Sequence, residues 1–256
     1  MEKITCENLE ICYQKSGTGK QALLLLHGWG VDHTLMTPLL EHLSRYFTVY
    51  NPDWPGFGES SELQYAFGTA DYCRILKAFI QKLGLEDPLI IAHSFGCRIA
   101  LRYGAGNPVR KMILTAAAGV PPQRGAKYYL KTYGYKALKQ LHRLPFLKQI
   151  EIEGKFGSAD YRLLSGVMKT TFIKIVNEDI RPLLPEVSAE TLLVYGENDE
   201  DTPLWMGEYL AKHLPNAGLA VFAGDDHYAY LHQLPRFLQV TDIFFKEEEE
   251  NADHRL

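Results

Sequence analysis

IIAHSFGCRIAL, residues 90–101, joins a short unbroken apolar run to a segment of helical period, with one serine at the junction. The run Leu89–His93 reads as a buried strand and Phe95–Ala105 as the helix that follows it. A strand that becomes a helix over one residue lifts that side chain above the carboxyl edge of a sheet and strains its backbone. Neighbouring chain then approaches closely, so small residues are wanted two before and two after it. Ala92 and Gly96 stand there. Ser94 is therefore the candidate nucleophile. The plainer alternative is a serine that only caps the helix.

Outward from this junction the same rhythm repeats. Ala22–Leu26 reads as a buried strand ending at His27-Gly28, Leu35–Tyr46 as a helix, and Phe47–Tyr50 as the next strand. That strand stops at the turn-rich block Asn51–Gly58. Thr69 is placed to cap a helix through Leu83, closed by Gly84. Val109–Thr115, Thr191–Tyr195 and Leu219–Phe222 are further strands. Alternation of this kind predicts an α/β fold, a mostly parallel central sheet flanked by helices, with right-handed crossovers. Residues 121–185 break the rhythm with helical segments and no strand, and are too long for a simple loop. The pattern thus predicts a core of residues 1–120 and 186–246 and a helical insertion, 121–185, over one end of the sheet. The acidic tail, 247–256, is expected to be disordered.

Bulk composition narrows the function. The 256 residues, 46% hydrophobic and 23% charged, suit a globular domain, and a net charge of -4 offers no basic face for nucleic acid. No apolar run approaches the ~20 residues of a membrane span. Met1–Gly17 has charges where a secretory signal would be apolar, so a cytoplasmic protein is expected. Cys6, Cys12, Cys73 and Cys97 form no C-x-x-C pair and read as reduced, packed thiols.

A nucleophilic serine needs a base and a group that orients the base. In sheets of this kind they follow in chain order, carboxylate first and histidine last. The strand Thr191–Tyr195 runs into Gly196-Glu197-Asn198-Asp199-Glu200-Asp201, and Leu219–Phe222 runs into Ala223-Gly224-Asp225-Asp226-His227. Both blocks lie beyond the carboxyl ends of strands, where ligands meet in open parallel sheets. His227 is the expected base, because imidazole is the side chain that changes charge near neutrality. His232 falls within the terminal helix pattern. Asp199, three residues past Gly196, is the expected acid; Glu197 and Asp201 share its loop and remain open as alternatives. Asp225 and Asp226 are too close in sequence to His227, and Ala116-Ala117-Ala118-Gly119 supplies no acid after the preceding strand. Negative charge on a reacting carbonyl oxygen needs backbone N–H donors. Phe95, after the serine, and Trp29, between Gly28 and Gly30, are the candidate oxyanion-hole residues. The alternative for the latter is a plain glycine turn.

Five blocks in the correct order resemble the alpha/beta-hydrolase superfamily: LLLLHGWG (23–30), NPDWPGFGES (51–60), IIAHSFGCRIAL (90–101), YGENDEDTP (195–203) and GDDH (224–227). The resemblance covers residues 1–120 and 186–246, and it implies that the insertion acts as a lid. The His-Gly-Trp-Gly block is similar to that of pimeloyl-ACP methyl ester esterases, in which the tryptophan amide serves the oxyanion hole. Small carboxylesterases and meta-cleavage-product hydrolases, which split carbon–carbon bonds, are also similar. Ala92 and Cys97 depart from the Gly-x-Ser-x-Gly-Gly of these groups. A serine at position 94, where epoxide hydrolases and haloalkane dehalogenases have aspartate, argues against their chemistry.

The expected reaction is hydrolysis of a small or medium carboxylic ester through an acyl-enzyme. Carbon–carbon, thioester and amide cleavage are alternatives within the enzyme class. A small-molecule receptor or signalling protein with slow turnover is the alternative outside it. Tyr128, Tyr129, Tyr133, Tyr135, Phe146, Met168 and Phe172 either line an apolar pocket or pack the insertion down. Seven basic residues from Arg124 to Lys148, with no carboxylate among them, would suit an acidic substrate or a carrier protein, or form a solvated face. Gly17-Thr18-Gly19-Lys20 precedes a strand and is followed by Gln21, so it is no phosphate loop. No histidine pair has i, i+4 spacing, and neither a metal nor another cofactor is expected.

Overall fold

The computed structural model describes residues 1–121 and 164–253, with side chains described through Lys246. The unbroken apolar runs form the middle of a sheet that, among the described residues, has eight strands. They are β1 (Glu2–Cys6), β2 (Leu9–Ser16), β3 (Ala22–Leu26), β4 (Thr48–Pro52), β5 (Leu89–His93), β6 (Lys111–Thr115), β7 (Glu190–Gly196) and β8 (Ala217–Phe222), in the order β1-β2-β4-β3-β5-β6-β7-β8. From β4 to β8 every pairing is parallel.

Helices cover both faces, which is why the central strands show no polar alternation. Leu24, Leu26, Ile90 and Ala92 point into one layer, with residues of α2 (Thr69–Lys82) and α3 (Phe95–Gly104). Leu23, Leu25, Leu89 and Ile91 point into the other. That second layer is closed by α1 (Thr37–Leu43) and the terminal helix.

The structure departs from the sequence pattern in several places. The chain start is an antiparallel hairpin, β1–β2, turning at Glu7 and Asn8, both left-handed at φ 51 and 65°. The first helix is split, with a 3-10 turn at His33–Met36 capped by Asp32 through the Thr34 amide (2.9 Å). Gly68, not Thr69, stands at the N-cap of α2: its amide donates to the Asp71 carboxylate at 2.7 Å, the half of a capping box that needs no N-cap side chain. Thr69 is buried instead, its hydroxyl donating to Glu178.

Of the insertion, the described part is α4 (Gly166–Val176) and a 3-10 turn at Arg181–Glu186. Its return is pinned where it left, because the Ile180 amide donates to the Gly119 carbonyl at 3.2 Å. Thr171 is buried and accepts the Phe67 amide at 3.1 Å. Tyr128, Tyr129, Tyr133, Tyr135, Phe146 and the basic residues from Arg124 to Lys148 lie outside the described residues.

After α5 (Leu204–His213) and β8 come the short α6 (Ala229–His232) and α7 (Leu234–Asp253). The backbone is helical through the glutamate run to Asp253, where the sequence predicts disorder, since glutamate is a strong helix former; residues 254–256 lie outside the described residues. Among the described residues no helix is long and apolar enough to cross a membrane, and the four cysteines are free.

Candidate active site

Ser94 sits at the sharp step from β5 to α3 with φ 50° and ψ -107°. It occupies the N-cap position, yet its side chain makes no capping hydrogen bond. The strained turn is fixed by its own backbone: the Ser94 amide donates to the Thr115 carbonyl at 3.0 Å, and its carbonyl accepts the Cys97 amide at 3.1 Å. Two glycines make room. A Cβ at Gly96 would collide with the Leu26 carbonyl, and one at Gly28 would lie 2.9 Å from the His93 ring. Ala92 is fully buried beside Leu26 and Leu114, so its methyl is accommodated where the resembling families have glycine.

The Ser94 hydroxyl instead faces His227, with Oγ 3.0 Å from Nε2. On the other side of the ring, Nδ1 lies 2.8 Å from Asp199 Oδ2. The loop after β7 aims Asp199 inward by a turn: the amides of Asp201 (2.9 Å) and Thr202 (2.8 Å) donate to Oδ1, and the Thr202 hydroxyl donates to Oδ2 (2.7 Å). Burial alone would raise this carboxyl, but the His227 contact and the Thr202 donors outweigh it and hold Asp199 below the usual carboxylate range. An ionised Asp199 accepts the Nδ1 proton, which leaves Nε2 free to accept from serine.

The rival carboxylates do not contact His227 Nδ1. Glu197 accepts the Gly224 amide (2.9 Å), Asp225 faces His232 (2.8 Å) and Gln233 (2.9 Å), and Asp201 is exposed. The loops of Asp199 and His227 are locked together because the Asn198 amide donates to the Asp225 carbonyl at 2.8 Å.

Two further histidines position the site, and sequence reading gave them no such role. His27 is buried; its Nε2 accepts the Trp54 amide at 3.0 Å, so Nδ1 carries the proton and donates to the Gly28 carbonyl at 2.7 Å. It thereby ties the Gly28-Trp29-Gly30 turn to the block 51–60. Burial pushes it down to about 4, against the opposing pull of the Gly28 bond and Asp53. His93 lies under His227, ring centres 4.9 Å apart, with Nδ1 2.9 Å from the Thr115 hydroxyl. Burial, then the nearby His227, lowers it to about 3. The signal for both was a histidine ending a buried strand, which no periodicity test weighs.

Trp29 packs edge-on against Phe95 at 5.5 Å, and both line a cavity of about 280 Å³ with Ser94 and His227. Phe172, Ile175, Val176 and Met206 add apolar wall, and Arg98, Asp201, Thr202 and Tyr228 add polar or charged groups. Phe95 opens α3, so its amide is one of the helix's unpaired N–H groups. Among the described residues three groups bring histidine and carboxylates within 4.8 Å: Asp32–His33–Asp53, Asp199–Asp201–His227 and Asp225–Asp226–His232. In each, the imidazole and a carboxylate already face one another at 2.8 or 2.9 Å.

The overall fold agrees with comparison to known proteins. The model of the alpha/beta hydrolase family matches residues 23–240. A 2-hydroxy-6-oxononadienedioate/2-hydroxy-6-oxononatrienedioate hydrolase of Burkholderia vietnamiensis is 26% identical, over 93% of this chain and 91% of that protein. Two solved structures share the fold. A meta-cleavage product hydrolase from Pseudomonas fluorescens has TM-score 0.73 and 20% identity, covering 97% of this chain and 98% of that one. An esterase from Exiguobacterium antarcticum has TM-score 0.73 and 21% identity, covering 95% and 98%. This chain belongs to the alpha/beta hydrolase family and is a hydrolase of that fold.

Proposed function

We propose that the protein is a serine hydrolase that cleaves a small or medium carboxylic ester through an acyl-enzyme. The observation that carries this reading is the connected series Asp199–His227–Ser94, with spacings of 2.8 and 3.0 Å. In it His227 Nε2 takes the hydroxyl proton as Ser94 Oγ bonds to the ester carbonyl carbon. The amides of Trp29 and Phe95 stabilise the oxyanion. Its collapse breaks the bond to the alcohol oxygen, which receives the proton from His227. Water, deprotonated by the same imidazole, then attacks the acyl-enzyme and frees the acid and Ser94. Asp199 holds the Nδ1–H tautomer throughout.

A second reading is favoured by the relatives: the Burkholderia vietnamiensis protein is named a 2-hydroxy-6-oxononadienedioate/2-hydroxy-6-oxononatrienedioate hydrolase. The same residues would then serve cleavage next to a ketone.

Both readings are tested by kcat/KM on a panel of p-nitrophenyl esters and one 2-hydroxy-6-oxodienoate. Ser94→Ala is expected to remove turnover by about 10⁴-fold or more, and Asp199→Asn by about 10²–10⁴-fold, with melting curves unchanged. Ester turnover that survives in Ser94→Ala would sink the assignment. Efficient turnover of the dienoate alone would select the second reading.

A further inference from the structure

Arg98 is a cation in the cavity wall that the proposed reaction does not use. It lies on α3 four residues after Ser94, one turn further along, and lines the same cavity. The residue is only 7% exposed. Among the described residues its guanidinium makes one hydrogen bond, from Nη1 to the Glu178 backbone carbonyl at 3.0 Å. The carboxylates nearby are taken. Glu178 pairs with Arg102 and accepts the Thr69 hydroxyl, while Asp179 is held by Arg181 at 2.6–3.0 Å. Burial lowers Arg98 to about 10, with Glu178 opposing the shift, so it remains charged at neutral pH.

A charge withdrawn from water without a counter-ion is expensive, and structural arginines are normally matched to a carboxylate. A cap on one carbonyl needs a single donor, whereas guanidinium offers five in a planar fork that fits a carboxylate. Phe172, Ile175, Val176 and Met206 make apolar stretches of the same wall; the carboxylate that also lines it, Asp201, is exposed, whereas Arg98 is buried.

We infer that Arg98 binds a carboxylate of the substrate, so that the preferred substrate is an acid carrying a second, scissile group a few bonds away. This rests on the reading of Ser94 as the nucleophile of the same cavity.

The test compares charged with neutral partners of equal length. For turnover, these are the p-nitrophenyl monoester of glutaric acid against p-nitrophenyl pentanoate, and 3-carboxyphenyl pentanoate against phenyl pentanoate. For binding, glutarate and pentanamide are titrated calorimetrically into the Ser94→Ala protein. Wild type is expected to favour at least one anionic ester by about tenfold or more, mainly through KM. Arg98→Gln should abolish that advantage and the glutarate binding while keeping neutral-ester kcat/KM within about threefold. Arg98→Lys, which keeps the charge and loses the fork, should retain part of both. Should Arg98→Gln not fold, the lysine variant and competitive inhibition of wild type by glutarate but not pentanamide decide the matter. Equal treatment of charged and neutral esters by wild type, with no glutarate binding, would overturn the inference. An equal loss on both ester classes in Arg98→Gln would reduce Arg98 to a structural cap. Failure of all esters, with glutarate still bound through Arg98, would instead refute the ester reading and leave the anion site standing.

Discussion

His27 and His93 are held neutral inside the fold by burial, and His27 is also hydrogen-bonded in a way that an added proton would disturb. His27 Nε2 accepts an amide, so protonation there breaks the tie between the Trp29 turn and Trp54. Their folded values, about 4 and about 3, lie below the ordinary imidazole value, so the unfolded chain binds these protons first as pH falls. Stability is therefore full above about pH 6.5 and declines toward pH 4, by about 1.4 kcal/mol per pH unit for each group. Urea unfolding at pH 7 and pH 5 measures this, and a flat profile would contradict the buried neutral rings. At this scale the meeting of Ser94, His227 and Asp199 was legible because each follows a strand that periodicity reveals. The choice of Asp199 over Glu197 and Asp201 depended on a turn closed by two amides, and Arg98 on neighbours 80 residues away, which no local pattern encodes.

The elements around the serine tolerate little added volume. Gly96 is inside α3, where alanine would ordinarily be the better helix former. Its missing side chain is what lets α3 approach the end of β3, with the His27 carbonyl 2.8 Å from where a Cβ would sit. Gly96→Ala is thus expected to lose about 1–3 kcal/mol in urea titration and to lower kcat with it, the reverse of the propensity trend. Helices and parallel strands were placed within a few residues because their apolar periods are long and both layers bury them. The β1–β2 hairpin was missed because it is an edge: β1 is largely exposed, and its Glu7-Asn8 turn lacks glycine. The cap of α2 moved by one residue because Asp71 reaches back to the Gly68 amide, a contact that outranks a hydroxyl at position 69.

Among the described residues, one continuous sheet carries Ser94, Asp199 and His227 beyond its strand ends, and the chain of the insertion leaves and returns between β6 and β7. The parallel sheet follows from the alternation of strands and helices, whereas its strand order is seen only in the structure, and the insertion had helical pattern but no partner that the sequence could name. α4 is anchored through Thr171 and the buried Ile175. Replacing residues 121–177 with a short glycine–serine linker, and so keeping Glu178 with Arg102 and Thr69, is expected to leave a core that still unfolds cooperatively at a lower Tm. Near-ultraviolet circular dichroism during melting checks this; loss of cooperativity would show that the insertion is integral to the core. The join itself has a consequence. Gly119 and Ile180 are bridged by one hydrogen bond, so whatever chain runs between them starts and finishes at the same spot. Such a joint behaves as a socket: helical cassettes of other lengths can be grafted there without shifting the register of any strand, and selectivity can be re-engineered while the hydrolytic machinery stays where it is.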